Sequence, residues 1–586
     1  MSAITFHANS SAFTAPPLSP PPSFPTPQFA SLPTTVLATL VAIAVVVLAR
    51  YRRAKGPLPP GPPGLPLVGN LFDIPKSRPW IKFEEWTREY GEIFTLRLGA
   101  TTMMVVGRAA PAIELLDKRS ATYSSRQRLI MTSELVSRGL RMTFMPYSDL
   151  WKRQRKLLHQ LTSPSASRQY EGIQEMESAQ LVGDMLRRPE DFWGHCQRYA
   201  GSTIMQIAFN KRAPTPQDPA ITKMRAINEA MTKTAVAGRY LVDSLPFLNY
   251  VPEFLAPFKQ EAHRIFDETL ALFQSQVDEV KTKVDNGDDT HCFAKYILEN
   301  QESYGLKKEE ATFLAGAMYG AGSDTTADAI STFIMTMLAH PHIASLAQVE
   351  LDRVVGSARL PAFADQADLP YCVAVVREMM RWRTVIAGGL AHAATEDGWY
   401  NGYFIPKGTI ILPNHWAIHL DPEVYPDPHR FNPSRFIDDK TGEVKGTKYS
   451  DIGHHGYGFG RRACPGKWIA ERSLFITFTR LLHCFTFSHP LPSSPEPSPT
   501  LSTISLATTS TSSSSSEATP PQGPLSTPAD DKYKDTNGVN VDAFSEGFSS
   551  HPLPFECRIE PRGEWVREVV REAEREAGVE VAPSKE

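Results

Sequence analysis

The sequence lacks an excess of charge of either sign. Among its 586 residues, 61 Lys and Arg stand against 64 Asp and Glu, which gives a formal net charge of -3. A domain that binds nucleic acid usually carries a basic excess, so we expect no nucleic-acid partner. A hydrophobic fraction of 41% and a charged fraction of 21% also exclude a collagen-like, coiled-coil or wholly disordered chain. The chain is long enough to bury a core and enclose a cofactor.

Cysteine is scarce as well. The chain has six cysteines, and no two of them form a Cys-x-x-Cys pair. This spacing excludes the disulfide framework of small secreted proteins and a zinc site of clustered ligands. We predict that most are buried as small apolar side chains, which leaves room for one with a special function. They are Cys196, Cys292, Cys372, Cys464, Cys484 and Cys557.

Charge is missing altogether before Arg50. Residues 32–49 form an uncharged run of 18 residues, which as a helix would reach about 27 Å, close to the thickness of a bilayer core. A basic cluster follows at Arg50, Arg52, Arg53 and Lys55. The alternative, a buried core helix, is disfavoured by the proline-rich flanks. Because positive charge stays cytosolic, the pattern predicts an uncleaved single-pass transmembrane anchor in the endoplasmic reticulum membrane, with the body in the cytosol.

Segments of biased composition surround this run and recur near the C-terminus. Residues 1–31 are rich in Ser, Thr and Pro, and we predict a disordered lumenal tail in which Asn9 begins a glycosylation sequon. Residues 50–70 join the basic stop to a proline-rich stretch, which we predict to be a stiff, extended hinge. We assign residues 71–586 to one main domain with a low-complexity insertion at 490–530. A real loop and a misannotated intron both remain open for the insertion.

The main domain reads as mostly helical with a few strand pairs. The pattern predicts a hairpin over 93–106, a long apolar helix over 311–340 ended by Pro341, short strands over 402–413 and a charged helix over 564–577. The long helix is rich in small residues, which predict that something large approaches it closely. These are Gly316, Gly320, Ala321 and Gly322.

One cysteine lies in an unusual setting. Cys464 follows two arginines in a glycine-rich segment, Tyr457-Gly-Phe-Gly-Arg-Arg-Ala-Cys-Pro-Gly466, and a helix-like run begins at Lys467. Cationic neighbours and a helix N-terminus favour the thiolate, so we expect a lowered thiol pKa. A thiolate held among backbone N–H groups is a good axial ligand for haem iron.

This segment resembles the haem signature of the cytochrome P-450 superfamily, Phe-x-x-Gly-x-Arg-x-Cys-x-Gly. The chain matches it at Gly460, Arg462, Cys464 and Gly466, with Tyr457 in the Phe place, where the added hydroxyl needs a partner. The resemblance implies a mainly α fold with small β-sheets. It also implies haem b, with Cys464 as the axial ligand of the iron and Gly460, Arg462 and Tyr457 around the cofactor.

A second motif lies in the long helix. Ala321-Gly-Ser-Asp-Thr-Thr326 resembles the oxygen-activation motif of the family at every specified position. The resemblance implies that Asp324 and Thr325 relay protons to bound O2. We further expect Gly322 to let the helix open locally, and Thr325 to bond back to a carbonyl one turn earlier.

Two more segments occur in the order of the family. The resemblance implies that Trp151 and Arg155, of a Trp-x-x-x-Arg motif, contact the haem propionates together with Arg462. It also implies that Glu378, Arg381 and Arg435 form a buried charged triad with a folding role, although Ser434 replaces the usual Glu of its last segment. The basic residues nearby fit either a docking face for an acidic flavoprotein or an ordinary solvated surface. These are Lys152, Arg153, Arg461 and Lys467.

The family likeness covers roughly residues 58–488 and 539–562. It departs at Thr384, where a proline is usual, and at Ala391-His392, where Pro-His is common. By family analogy, the substrate pocket draws on residues 120–139, 317–322, 385–390 and 544–548.

The resemblance implies a membrane-bound monooxygenase that inserts one oxygen atom from O2 into a hydrophobic small molecule such as a terpenoid, polyketide or aromatic. No dinucleotide or flavin fingerprint is present, so electrons should come from NADPH through a separate reductase, with cytochrome b5 as a second candidate donor. Several stretches look like fungal members of secondary metabolism, including those similar to O-methylsterigmatocystin oxidoreductase. A haem-thiolate isomerase or peroxygenase, and a non-enzymatic haem-binding protein, stay open as alternatives.

Overall fold

The computed structural model describes residues 56–236, 238–288, 291–490 and 536–579, together with Thr39. Several sequence expectations lie outside these ranges. They are the tail with Asn9, the predicted anchor over 32–49 apart from Thr39, the basic cluster, and the insertion at 490–530 apart from its first residue.

Helices make up most of the described chain, as predicted. Eight of the seventeen α-helices in the described ranges begin next to a proline or a capping side chain, since these residues suit the first helical turn. The α-helices are α1 Pro79–Tyr90, α2 Ala109–Ala112, α3 Ser120–Tyr123, α4 Asp149–Thr162, α5 Pro164–Ser167, α6 Glu171–Arg187, α7 Phe192–Phe209, α8 Pro219–Thr234, α9 Leu241–Ser244, α10 Pro257–Asp285, α11 Phe293–Asn300, α12 Lys308–Ala339, α13 Pro341–Val354, α14 Pro370–Trp382, α15 His415–His419, α16 Lys467–Cys484 and α17 Trp565–Glu576.

The strands form small sheets. Their bounds are β1 Ile93–Leu98, β2 Thr101–Val106, β3 His392–Ala393, β4 Gly398–Tyr400, β5 Tyr403–Ile405, β6 Ile410–Pro413, β7 Phe485–Ser488 and β8 Arg558–Pro561. The largest sheet has the order β1-β2-β6-β3, in which only β2 and β6 pair in parallel. The strands β4–β5 and β7–β8 form antiparallel pairs. The predicted hairpin, long helix and charged C-terminal helix are therefore confirmed, as is the mainly α class.

The helix α12 runs through the middle of the core. Buried side chains of its N-terminal half belong to one large apolar cluster with α4, α8 and α10, and those of its C-terminal half belong to another with α6, α14 and α16. Its small residues admit neighbouring helices: a Cβ at Gly316 would lie 2.0 Å from the ring of Phe273, and one at Gly322 would lie 2.8 Å from Ile204. The groups that approach these two glycines closely are therefore side chains of neighbouring helices.

The proline-rich stretch is extended, but it is not a free spacer. Pro57 accepts a hydrogen bond from the backbone of Phe404 at 2.7 Å, and Pro60 accepts one from Thr95 at 2.8 Å. Gly61 comes so close to Thr95 that a Cβ there would lie 2.0 Å from the carbonyl oxygen. The stretch is therefore fixed along two sheets of the body.

The low-complexity insertion leaves and re-enters the body at neighbouring points. His489, directly after β7, lies with its ring Nε2 2.6 Å from the carbonyl oxygen of Asn537. The strands on either side, β7 and β8, still pair in register, with Phe487 opposite Ile559. The body thus closes its sheet without help from the insertion.

Within the described ranges, no single helix is long and apolar enough to cross a membrane. The helices α12 and α13 reach that length and composition only together, with a bend of 104° between them.

Candidate active site

A large internal cavity brings together motifs that are far apart in the sequence. Cys464 lies in its wall with Trp151 and Arg155 of α4, and with Asp324 and Thr325 of α12. Tyr457 and Arg462 also line it. Gly460, Glu378, Arg381 and Arg435 do not line it, and Asn9 lies outside the described residues.

Cys464 is held by the backbone of its own loop. Its N–H donates to the carbonyl of Tyr457 at 2.8 Å, and α16 begins three residues later at Lys467. The N–H groups of Gly466 and Lys467 point toward the sulfur. The thiol is thus fixed at a helix N-terminus, with its free side open to the cavity.

The thiol pKa differs from the sequence expectation. Burial raises the pKa of Cys464 above its ordinary value, while the N–H of Gly466 and the charges of Arg155 and Lys467 act in the opposite direction without cancelling it. Cationic neighbours were expected to dominate, but a thiolate deep inside protein loses more from desolvation than these neighbours return. The residues around Cys464 are therefore not enough to stabilise its thiolate, and a further positive charge next to the sulfur is needed.

Gly460 has a packing function rather than a place in the cavity wall. Its φ is +53°, and a Cβ there would lie 2.0 Å from the carbonyl oxygen of Leu116. Only glycine tolerates this approach without strain. Gly460 therefore holds the cysteine loop against the segment before α3.

Tyr457 lines the cavity next to Cys464, and its hydroxyl has no hydrogen-bond partner among the described residues. Glu471 and His454 are nearby, with 3.6 Å between His454 Nε2 and Glu471 Oε1. Burial and the charge of Glu471 raise the pKa of Tyr457 well above its ordinary value. The tyrosine is therefore a neutral phenol.

One end of the cavity collects buried cations. Arg126, Arg155 and Arg462 line it, and none of them forms an ion pair within the described chain. Burial and the neighbouring charges of Arg126 and Arg155 lower the pKa of Arg462 to about 8, and burial lowers that of Arg126 to about 10. Buried cations without a counterion are costly, so this end requires an anionic ligand.

These groups fit a haem with its two propionates. Arg462 is fixed by carbonyl acceptors, including that of Ser124 at 2.7 Å from Nε, and stacks 4.4 Å over the ring of Trp151. Arg126 donates to the carbonyl of Ala391 at 2.7 Å. A thiol opening into the same cavity supplies the axial ligand that haem iron accepts. The donor set thus matches both the metal and the carboxylates of the cofactor.

Sequence reasoning missed two residues at this end. Arg126 lies in a stretch predicted only to shape the substrate pocket. His392 was noted only as a departure in a loop, yet it lines the cavity with Nδ1 2.7 Å from the carbonyl oxygen of Tyr123. Neither shows a local motif, because each reaches the site through a fold contact.

The two residues predicted to relay protons, Asp324 and Thr325, lie on one stretch of α12. Thr325 Oγ1 donates to the carbonyl of Ala321 at 2.8 Å, as the sequence predicts. Ser323 Oγ lies 3.4 Å from Asp324 Oδ1, and Asn228 of α8 donates to the carbonyl of Gly320 at 2.9 Å. Burial raises the pKa of Asp324 to about 6, so this carboxyl gains and loses protons close to neutral pH.

Gly322 does not open the helix as expected. The α-helical pattern of α12 continues unbroken from Lys308 to Ala339. The missing side chain instead makes room for Ile204 of α7. The expectation was wrong because the glycine serves helix packing, which a single helix cannot reveal.

The charged triad lies outside the cavity and supports its loop. Glu378 accepts from Arg381 at 2.7 Å and from Arg435 at 3.0 Å, and all three side chains are buried or nearly so. Arg381 also donates to the carbonyl of His419 at 2.9 Å, and the ring of His419 accepts from the backbone of His455 at 2.9 Å. The triad is thus tied to the loop that leads to Cys464.

The rest of the cavity wall is mainly apolar. All four predicted stretches contribute, for example through Val385 and Phe548. The helices α7 and α8 also contribute, which was not predicted. Their cavity residues include Thr203, Ile204, Asn228 and Met231.

The fold and site together define a mainly helical haem-thiolate protein. Comparison with known proteins agrees: the Cytochrome P450 family model matches residues 59–513. Cytochrome P450 monooxygenase 253 of Postia placenta is 34% identical over 92% of this chain and 96% of the relative. Cytochrome P450 monooxygenase 88 of the same fungus is 36% identical over 90% and 96%. Cytochrome P450 monooxygenase fogE of Aspergillus ruber is 37% identical over 73% and 80%.

The chain belongs to the cytochrome P450 family. It is a monooxygenase that binds haem b, and the resemblance seen in the sequence is confirmed.

Proposed function

We propose that this monooxygenase oxidises a hydrophobic small molecule of fungal secondary metabolism, with electrons supplied from NADPH by a separate reductase. The carrying observation is the single cavity that joins Cys464, the cationic end and the Asp324–Thr325 pair under a largely apolar wall. An apolar wall with few polar groups favours a substrate selected by shape, such as a terpenoid, polyketide or aromatic.

Each residue has a distinct task. Bound haem supplies the activation of O2. Cys464 provides the thiolate ligand, and the cations Arg126, Arg155 and Arg462 hold the propionates. Asp324 holds a proton at its carboxyl group, and the hydroxyl of Thr325 presents it to the cavity. The apolar wall excludes water and so limits side reactions that form no product.

The reductase is proposed to dock on the basic face around the cysteine loop. Lys152, Arg153 and Arg461 are exposed there. Lys152 pairs only with exposed Asp149 at 3.0 Å. Positive charge on this face suits an acidic electron donor, a reductase or cytochrome b5, and would speed association.

We propose that the protein is anchored in the endoplasmic reticulum membrane by residues 32–49, with its catalytic domain in the cytosol. The described body supports contact with a lipid surface through exposed apolar side chains between α9 and α10, including Phe247, Tyr250 and Phe254. Removing residues 1–54 should release the protein from membranes washed with alkaline carbonate, while the full-length chain stays. Release of both forms would contradict the anchor.

The catalytic proposal is tested with the purified full-length protein. We expect the carbon monoxide spectrum of the reduced protein to show the thiolate-ligated form, and Cys464→Ser to abolish that form. Cys557→Ser is the matched control, because Cys557 is half-exposed and outside the cavity. Terpenoid, polyketide and aromatic panels should yield hydroxylated products only with NADPH and reductase. Product formed without NADPH and reductase would favour the isomerase instead. Product formed with peroxide alone would favour the peroxygenase.

A further inference from the structure

A second acidic side chain follows the relay motif on the same helix. Asp328 lies one turn after Asp324 on α12, so both project from one face of the helix. Its Oδ2 is buried and has no hydrogen-bond partner among the described residues. Its Oδ1 lies 3.5 Å from Nδ1 of His551, which belongs to the segment before β8. A buried acid thus meets a histidine from a distant part of the chain.

The histidine connects this acid to solvent. The side chain of His551 is 42% exposed, whereas that of Asp328 is only 15% exposed. Nδ1 of His551 is also 3.1 Å from Ser545 Oγ, and its ring packs edge-on against Trp193 of α7. The imidazole is therefore held in place with one side toward solvent and the other toward Asp328.

On the inner side, Asp328 communicates with the cavity. Asp324 lines the cavity and its charge acts on Asp328. Ser549 also lines the cavity, and its side chain is close enough to Asp328 to lower the pKa of that carboxyl group. Solvent and cavity are thus joined by side chains that all carry exchangeable protons.

The charges around the pair keep it neutral. Asp328 faces Asp324 on its own helix and His551 from the C-terminal segment, while Arg225 of α8 acts on Asp324. Burial and the charge of Asp324 raise the pKa of Asp328 to about 8, and burial lowers the pKa of His551. At neutral pH, Asp328 holds a proton and His551 is free to accept one.

We propose that His551 and Asp328 form the entry leg of a proton relay that resupplies Asp324. Asp328 passes its proton across one helical turn to the carboxylate of Asp324. The emptied Asp328 then takes the Nδ1 proton of His551 as a solvent proton binds Nε2. Only N–H and O–H bonds break and form, and no electrons are transferred. This role rests on the proposed monooxygenase function, in which Asp324 donates protons through the hydroxyl of Thr325.

The entry leg is tested by infrared spectroscopy of the full-length, haem-loaded protein. We expect a carboxylic acid C=O band at pH 7 that Asp328→Asn removes. On mixing with D2O, this band should shift about tenfold more slowly in His551→Leu than in the wild type, since one relay member is missing. His342→Leu, at another exposed histidine, is the control and should match the wild type. Equal rates in His551→Leu and the wild type, or a band that survives in Asp328→Asn, would overturn the proposal.

A second measurement distinguishes a failure of the proposed relay from a failure of the proposed monooxygenase function. With NADPH and reductase, Asp328→Asn and His551→Leu should divert several-fold more electrons to hydrogen peroxide, and Asp328→Glu should restore coupling. Iodosylbenzene delivers an oxygen atom without protons, so turnover driven by it should be unchanged in both variants. A wild type that forms no reductase-dependent product would refute the function, whereas an active wild type with unaltered variants would refute the relay.

Discussion

The surroundings of Asp324 suit the proton transfer that we propose for it. The carboxyl group is largely buried on α12, with the side chain of Asn228 close by and 3.4 Å between its Oδ1 and Ser323 Oγ. Desolvation penalises the carboxylate, and these contacts recover only part of the cost. Its pKa, raised to about 6, lies close to the pH at which a proton donor works best.

Asp324→Asn should reduce product formation by about 10²-fold, since a positioned acid contributes on that order. In the wild type, the protonated acid is populated below its pKa, so the rate should fall as pH rises through about 6. The variant should lose this inflection, and Asp324→Glu should keep it. Product formation measured from pH 5 to 8 checks this, and an inflection that persists in Asp324→Asn would assign it to another group.

At this scale, the sequence predicted the residues that carry motifs and missed those that do not. Cys464, Asp324 and Thr325 each stand in a recognisable local pattern. Arg126 and His551 do not, because their roles come from contacts with segments hundreds of residues away. Asp328 could have been found, since it is an acid one helical turn beyond Asp324.

At the scale of elements, α12 depends on how closely its neighbours approach. Gly316 lies against the ring of Phe273, where a Cβ would be 2.0 Å from Cγ, whereas a Cβ at Gly320 would meet the flexible end of Met224 at 3.1 Å. A buried ring cannot move aside as a methionine end can. The two glycines therefore differ in function, although they stand four residues apart on one helix.

Gly316→Ala should destabilise the protein by about 1–3 kcal/mol through overpacking. Gly320→Ala is the matched control and should be close to neutral, because the gain in helix propensity of up to about 1 kcal/mol offsets the mild contact. Urea denaturation of both variants measures the difference. Equal stabilities would show that α10 can shift to accommodate a side chain.

The charged triad provides a second test at this scale. Glu378→Gln leaves Arg381 and Arg435 without their shared carboxylate, so we expect a loss of about 3–5 kcal/mol and poor haem incorporation. Lys82→Ala breaks the exposed pair of Lys82 with Glu85 and should cost less than about 1 kcal/mol. The urea midpoints and the haem content of both variants measure these effects. A small loss of stability for Glu378→Gln would argue against the folding role.

Elements with strong periodicity were predictable, and those defined by long-range pairing were not. The hairpin β1–β2 and the helix α12 follow from local patterns alone. The parallel pairing of β2 with β6 joins residues about three hundred positions apart, and no local signal specifies it. The fixed proline-rich stretch is a similar case, because its extended form is local while its docking is not.

At the scale of the whole molecule, several histidines are buried and stay neutral because their pKa values are lowered. Burial lowers the pKa of His455 to about 3 and those of His415 and His483 to about 4. It also lowers the pKa values of His392 and His419 well below the usual value. A histidine in the unfolded chain has a pKa of about 6.5. Below that pH, the unfolded chain therefore binds protons at these histidines, whereas the folded chain leaves them neutral. Stability from these groups is complete above that pH and is lost as pH falls.

Four carboxyl groups act in the opposite direction, because burial raises the pKa values of Asp117, Asp243, Asp324 and Asp328. The raised pKa values of Asp324 and Asp328 give stability that is complete at acid pH and is lost as pH rises toward about 8. Burial also lowers the pKa values of His195 and His551. Since these seven histidines outweigh the four carboxyl groups below pH 6.5, we expect the protein to lose stability on mild acidification, with a smaller decline on the alkaline side.

His483 isolates this effect from the active site, because it is buried against Trp565 of α17. His483→Gln should reduce the stability lost between pH 7 and pH 5 by about 2 kcal/mol, since one histidine no longer draws a proton on unfolding. Exposed His342→Gln is the control and should leave the slope unchanged. Urea unfolding at both pH values measures the two slopes. If His483→Gln kept the full acid sensitivity, the loss would come from titration around the cysteine loop, where His415, His419 and His455 lie together.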